Sequence, residues 1–260
     1  MSFALITGAS KGIGKAFAFN LASQKYNLLL IARSADELKK VCDEIKVKYD
    51  VTCHYMALDL SQQEAAKKIE SWISENHYDI AVLINNAGFG LWGKFAEHSL
   101  EEQNEVIAVN ISALVNITHR LIPYLRKQTK AYILNVGSSS AYQAMPTFSI
   151  YAASKSFVVS FTRALHHELK GTNISVSCLT PGSVKTNFVN RARMLHMQEV
   201  ADKVSDEPDE VAKAGLKAMF AGKIESIPGV LNYTGVFMNR LIPKVVAEKF
   251  VSKMYMKKEK

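Results

Sequence analysis

Apolar positions along this chain gather into short runs separated by longer stretches of helical period. Ser2–Thr7, Asn27–Ala32 (NLLLIA), Val51–Leu58, Ile80–Ile84, Tyr132–Val136 (YILNV) and Ile174–Leu179 (ISVSCL) read as strands. Ala16–Gln24, Leu38–Val47, Ala65–Ser74, Glu101–Lys127 and Ala152–Leu169 read as helices between them. Strands this apolar need cover on both faces, the condition of a parallel sheet fed by right-handed crossovers. The alternation predicts an α/β, doubly wound fold with helices on both faces. Past residue 187 the pattern changes. Pro208 opens a helix to about Phe220, Glu225–Ile227 is a candidate seventh strand, and Tyr233–Tyr255 is helical with a break near Pro243. No linker or repeat interrupts the chain, so 1–260 is expected to form a single domain. Within it, 1–187 would be the core, 188–222 a lid region, and 223–260 the last strand with a C-terminal helical extension.

A hydrophobic share of 48% with 22% charged residues excludes a disordered or fibrous chain. The net charge of +8 is uneven: residues 188–260 carry thirteen basic side chains against nine acidic ones. Lys244–Lys260 alone holds six lysines and two glutamates. Such a tail suits acidic lipid, nucleic acid or plain solubility, and the absence of a clustered reading element ranks nucleic acid last. No apolar run reaches the roughly 18 residues of a membrane span, and no signal-like stretch opens the sequence. Cys42, Cys53 and Cys178 are an odd, widely spaced set that predicts no closed disulfide framework and a reducing compartment, so a cytoplasmic location is expected. Neither the cysteines nor the seven histidines have zinc spacing, and no metal is expected.

The first strand leads through Thr7-Gly8-Ala9-Ser10-Lys11-Gly12-Ile13-Gly14 into a helix, the context that a dinucleotide fingerprint requires. Gly8 permits the tight turn, Gly12 lets backbone approach a pyrophosphate, and Gly14 lets the helix lie close to the sheet. The alternative is a ligand-free glycine-rich turn. After the second strand, a site for NAD presents an acid to the ribose hydroxyls. This chain has Arg33 there instead, with Lys11 as a neighbour, and two cations without a carboxylate suit a 2′-phosphate. NADP(H) is therefore favoured over NAD. Asp59, followed by Leu60, either accepts from the adenine amino group or caps the next helix. Asn86, Ala87 and Gly88 end the fourth strand, where small residues leave room for a ring or ribose.

Tyr151 and Lys155 stand four apart in YAASK, thirteen residues after Ser138, and at a helix start they face the same way. An ammonium beside a phenol favours phenolate, and a phenol so tuned exchanges a proton with a carbonyl oxygen or alcohol. Ser138 would hold that oxygen. Taken with TGASKGIG, Asp59, NNAG, Asn110, Pro181-Gly182 and Thr186 in this order, these residues resemble the short-chain dehydrogenase/reductase family over residues 3–187. Within it, NNAGFGLWGKF, YAASKSFVVSF and IPGVLN resemble an NADP-preferring branch that includes hydroxysteroid and long-chain ketoacyl reductases. The resemblance implies a Rossmann fold, Tyr151 as acid/base, Lys155 lowering its pKa and holding the nicotinamide ribose, and Ser138 positioning the substrate. It also implies a water held by Asn110, and contacts to the nicotinamide from Thr186 and the Val184 backbone after the Pro181-Gly182 turn.

The expected pocket wall draws on Phe89, Leu91, Trp92 and Phe95, on Tyr142, Met145 and Phe148, and on Phe188, Val189, Met194, Leu195 and Met197. Arg191 and Arg193 are placed to meet an anion. The wall favours a bulky apolar carbonyl or alcohol over a small sugar. Family members form homodimers or homotetramers through helices matching 101–127 and 152–169, where Phe157, Val158, Phe161 and Leu165 supply apolar surface. The terminal helical stripe would close the pocket, meet a second subunit or, last in order, touch a membrane. The competing function is a non-catalytic dinucleotide sensor or scaffold, which needs the three glycines but not Ser138, Tyr151 and Lys155 together.

Overall fold

The computed structural model describes residues 2–194 and 205–256. Seven strands form one sheet: β1 (Phe3–Thr7), β2 (Asn27–Ala32), β3 (Cys53–Ala57), β4 (Ile80–Asn85), β5 (Ala131–Val136), β6 (Ile174–Leu179) and β7 (Glu225–Ser226). Their order is β3-β2-β1-β4-β5-β6-β7, and every pair is parallel. The strand order reverses beside β1, between β2 and β4, which opens a crevice at the carboxyl ends of the strands. This is the doubly wound Rossmann-like sheet that the alternation predicts.

Helices α1 (Gly12–Ser23), α2 (Ala35–Lys48), α3 (Ala65–Glu75), α4 (Leu100–Ile107), α5 (Leu114–Leu125), α6 (Ser149–Glu168), α7 (Phe188–Arg191), α8 (Pro208–Phe220), α9 (Val230–Leu241) and α10 (Lys244–Met256) follow in chain order. On one face Phe17 and Leu21 of α1 pack with Leu28, Leu30, Leu134, Leu216 and Met219. On the other, Ile69, Ile73, Ile117, Leu121 and Leu165 pack on Leu5, Leu29, Leu83 and Ile133. The two apolar layers explain why β2 and β4 carry almost no polar side chain.

Local chemistry sets the helix starts. Ser34 caps α2 by accepting from the Glu37 amide, and Ser99 with Glu102 forms a reciprocal capping box at α4. Pro208 sits in the first turn of α8, where its missing N–H costs nothing. The glycine turn runs straight into α1 at Gly12, earlier than the apolar pattern indicates, and α6 begins at Ser149, which brings Tyr151 into its first turn. The stretch read as one helix near 101–127 contains a π turn at Ala108–Ala113. Within Leu100–Leu125 an 18-residue window reaches a mean hydropathy of 1.3, enough by length and composition for a membrane span, but its apolar face lies on the sheet.

One sequence expectation is corrected. Cys42 of α2 and Cys53 of β3 are joined by a disulfide, with Cα atoms 5.4 Å apart, while Cys178 is free and buried. Spacing along the chain hid the pair because α2 folds back antiparallel to β3. The cysteine argument for a reducing compartment loses that premise.

Candidate active site

At the crevice, Gly8 and Gly12 adopt left-handed backbone (φ +66° and +54°), which favours glycine. A Cβ on Gly14 would overlap the Gly8 carbonyl oxygen, so α1 can approach the turn only without a side chain there. Helix α1 starts with no side-chain cap and no acid in its first turn, leaving its leading amides to face an anion. Ser10, Lys11 and Ile13 fill the rest of the turn; Ile13 packs on the core. Asn86 fixes the neighbouring strand end. Its Nδ2 donates to the Thr7 and Gly8 carbonyls at 2.9 and 3.2 Å, while Thr7 Oγ1 accepts from the Asn86 and Ala87 amides. The turn therefore has the shape and donors that a pyrophosphate requires.

The two candidate phosphate cations lie at this edge, each beside a carboxylate. Lys11 Nζ is 4.0 Å from Glu37, and Arg33 Nη1 is 3.5 Å from Glu105. Asp59 does not cap α3, which starts behind Glu64 with no side-chain cap; its Oδ1 accepts from the Ser61 amide and hydroxyl at 2.9 and 2.8 Å in the preceding turn. Burial opposes its charge, but those hydrogen bonds and the Arg33 and Arg191 cations hold the carboxyl below the usual range. Leu60 is buried beside it.

Strands β4 and β5 carry a buried polar ladder behind the site. Asn85 donates to Asn135 Oδ1 at 2.8 Å and to Thr118 at 2.9 Å, and Asn135 donates to Thr162 at 3.0 Å. Past β5, Ser138 Oγ accepts from the Ser140 amide and hydroxyl at 3.2 and 2.9 Å. The Tyr151 phenol hydrogen-bonds with both serines, so Ser140 belongs to the cluster although spacing alone selects Ser138. Lys155 is buried, donates to the Val136 carbonyl at 2.8 Å, and lies 5.8 Å from the Tyr151 ring centre. In the π turn, Asn110 holds the Phe89 backbone at both ends and donates to Ser154 at 2.9 Å. Gly88 brings Asn110 and Lys155 together, since a Cβ there would sit 3.1 Å from both polar side-chain ends.

The electrostatics correct the expected direction for the phenol. Burial pushes Tyr151 up to about 12, against the hydrogen bonds from Ser138 and Ser140. Burial also pushes Lys155 down to about 8, against the influence of Cys178. Desolvation dominates the phenol, and the Lys155 ammonium is directed at the Val136 carbonyl oxygen rather than at the phenolic oxygen.

After β6 the chain crosses the crevice. Pro181 accepts from the Ser139 amide at 2.8 Å, Gly182 leaves no room for a Cβ beside the Asn232 amide, and Val184 pairs with Asp206. Thr186 packs on the glycine turn, 2.8 Å from where a Gly12 Cβ would be. Phe148 stacks on Tyr151 with ring centres 4.4 Å apart, and Phe188 lies 5.3 Å from the same ring. The expected wall is divided by the structure. Trp92, Met145 and Phe148 form a packed cluster with Phe188 and Met194, and Phe89 is buried in another. Phe95 is 61% exposed, and Tyr142 hydrogen-bonds to Glu225. Val189 is buried, and Leu195 and Met197 fall outside the described residues.

A cleft of about 430 Å³ lies between Ser139, Gln143 and the α9–α10 pair, including Leu231, Met238 and Ile242. A cavity of about 10 Å³, the size of one water, adjoins Tyr151 and is lined by Leu91, His98 and Ile150. His98 Nε2 is buried without a partner. Glu105 and His98 carry no signal in the sequence, because what matters is which loop meets them. Among the described residues, no group of three potential metal ligands gathers.

A glycine turn at the reversal of a parallel sheet, with serine, tyrosine and lysine side chains gathered beyond β5, defines a dinucleotide-dependent oxidoreductase of the Rossmann type. Residues 2–195 match the family described as short chain dehydrogenase, and the chain belongs to that family. It is 29% identical over 255 residues to 17-beta-hydroxysteroid dehydrogenase type 3 of Homo sapiens, covering 94% of this chain and 81% of that one. It is 33% identical over 192 residues to very-long-chain 3-oxoacyl-CoA reductase of Rattus norvegicus, covering 72% of this chain and 60% of the relative's length. A short-chain dehydrogenase from Sphingobium yanoikuyae, solved in complex with NADPH, superposes with TM-score 0.82 at 26% identity, covering 93% of this chain and 94% of that chain.

Proposed function

We propose that the protein is an NADP(H)-dependent oxidoreductase acting on the carbonyl or secondary alcohol of a bulky apolar compound. The observation behind this reading is the convergence of Ser138, Ser140 and Tyr151 hydroxyls beside buried Lys155, at the mouth of the glycine turn. In the reductive direction, bound NADPH supplies hydride to the carbonyl carbon. Tyr151 gives its phenolic proton to the carbonyl oxygen, and a phenol held near 12 keeps that proton ready at neutral pH. Ser138 donates to the same oxygen and fixes its position. Lys155, beside Gly88, holds the nicotinamide ribose, and as a cation it stabilises the phenolate once the proton has left. Asn110 fixes the Phe89 loop and links Lys155 to solvent through a water. Gly8, Ser10, Gly12, Ile13 and Gly14 take the pyrophosphate, Lys11 and Arg33 the 2′-phosphate, and Asp59 with Leu60 the adenine. Asn86, Ala87 and Gly88 frame the ribose, while Pro181, Gly182, Val184 and Thr186 meet the nicotinamide.

An apolar substrate agrees with the α9–α10 cleft and with the hydroxysteroid and very-long-chain 3-oxoacyl-CoA after which the human and rat relatives are named. The chain acts as one domain that pairs through α4, α5 and α6. Phe157, 37% exposed and stacked 5.8 Å from Phe161, supplies apolar surface there. A panel of carbonyl compounds with NADPH and NADH, followed by absorbance of the reduced nicotinamide, tests the reading. Bulky apolar ketones should be reduced fastest, NADPH should bind more tightly than NADH, and Arg33→Ala should narrow that gap. Equal affinity for the two cofactors, or preference for small polar carbonyls, would overturn the corresponding part.

A further inference from the structure

The adenosine edge of the crevice holds a second arginine that the cofactor motifs do not supply. Arg191, at the end of α7, lies with its guanidinium 4.2 Å from the centre of the Phe89 ring. Its Nη2 is 3.9 Å from Glu105 Oε1, and the same oxygen is 3.5 Å from Arg33 Nη1. One carboxylate oxygen thus stands between two guanidinium groups that arrive from opposite sides, one after β2 and one from the segment crossing the crevice. Each arginine retains solvent-facing donors, since both side chains are only partly buried. Asp59 is the other acid nearby, and its Oδ1 is already engaged by Ser61. Asp59 keeps its charge and acts on both arginines, so two carboxylates face two cations, but only one oxygen, that of Glu105, lies within ion-pair distance of both forks. A phosphate monoester carries about 1.5 to 2 at neutral pH and offers three acceptor oxygens, so it matches two forks better than Glu105 does.

We propose that Arg191 is a second cation for the 2′-phosphate of the cofactor, held in place by Glu105 until that phosphate arrives. The proposal rests on the NADP(H) reading and extends it to a residue outside the nucleotide motifs. It has a mechanical consequence. Arg191 belongs to the segment in which Thr186 packs on Gly12 and Phe188 lies against Tyr151, so an anion that holds Arg191 also holds the cover over the phenol. Recognition of the phosphorylated cofactor and ordering of the cover are then one event, whereas an unphosphorylated nucleotide leaves Arg191 with Glu105.

Calorimetric titration with 2′,5′-ADP and with 5′-AMP isolates the 2′-phosphate, because the two probes differ only in that group. The full chain should prefer 2′,5′-ADP. Arg191→Ala should lower this preference by about three- to tenfold, the range of one partly exposed ion pair, with 5′-AMP affinity unchanged. Glu105→Gln should raise the preference by removing the competing carboxylate. In parallel, 2′,5′-ADP should slow backbone hydrogen exchange over residues 186–194 in the parent and not in Arg191→Ala. A preference untouched by Arg191→Ala, or equal losses for both probes, overturns the proposal while the Arg33 reading stands. No preference in the parent overturns the NADP(H) reading itself. Equal exchange protection in parent and variant removes the coupling to the cover.

Discussion

The floor of the site and its cover are built by different forces. The floor is the carboxyl edge of β4, β5 and β6, where Asn85, Asn135, Thr118 and Thr162 form a buried hydrogen-bonded ladder and Lys155 is tied to Val136. Such contacts are directional, and breaking one strands a polar group away from water. The cover, from Thr186 through α7 and again at α9–α10, rests on ring contacts and partly exposed ion pairs such as Arg191–Glu105 and Arg193–Glu102. These tolerate sliding and repacking at small cost. The division suits a catalyst that must hold hydroxyls still while admitting two large molecules.

The floor is where a single atom matters most. Tyr151→Phe removes the phenolic oxygen and keeps the ring that stacks on Phe148. Turnover of any substrate found by the carbonyl panel should fall by about 10²–10⁴-fold or more, the range of lost general acid catalysis. NADPH binding, followed by its fluorescence, should stay near the parental value. Parental turnover in this variant would end the acid/base assignment.

Next in size is the ladder. Asn135 is fully buried, and Asn135→Leu would take one acceptor from Asn85, which keeps Thr118, and one donor from Thr162, which keeps the Val158 carbonyl. A stability loss of about 1–3 kcal/mol is expected, read from urea denaturation. A loss no larger than that of an exposed substitution would mean that the floor is not held by hydrogen bonds in the way argued above.

The floor also imposes a pH dependence of known sign. Lys155 is pushed from its ordinary 10.5 down to about 8 in the folded chain. Between these values the unfolded chain binds more protons, so this group makes stability rise with pH across that window. Below the window its burial is a constant penalty. Denaturation curves on either side of the window, compared between parent and Lys155→Met, isolate the contribution: the variant should lose that part of the rise. An identical pH slope in the two proteins would mean that the amine is not desolvated.

The same division decides what the sequence reveals. β2 and β6 are read to the residue, because the apolar run of β2 and the apolar residues alternating with small serines in β6 are each bounded by polar residues. Gly8, Gly12, Ser138, Tyr151 and Lys155 are legible because their chemistry requires fixed spacing on adjoining elements. What escapes depends on encounters between distant segments. Cys42 meets Cys53 only once α2 has folded back, and Glu105 meets Arg191 only once the cover has crossed the crevice. The raised Tyr151 is missed for a related reason: residue spacing reveals a charged neighbour but not how deeply both groups are buried. The wall residues illustrate the limit again, since apolar character alone does not separate Trp92, packed in a cluster, from Phe95, turned to solvent.

The smallest expected effect tests the far end of the cover. Val230 and Leu231 are 80% and 84% exposed on the first turn of α9, beside the apolar mouth of the cleft. If nothing in the folded monomer covers them, Val230→Ser and Leu231→Ser remove apolar surface that is already in water. Stability should then change by less than about 0.5 kcal/mol. Turnover of bulky ketones should respond more than that of small ones, because Leu231 lines the cleft and a large substrate reaches further along it. A stability loss above about 1 kcal/mol that grows with protein concentration would reverse the comparison. It would mean that a second copy of the chain buries this turn, and that the cover is as firmly held as the floor.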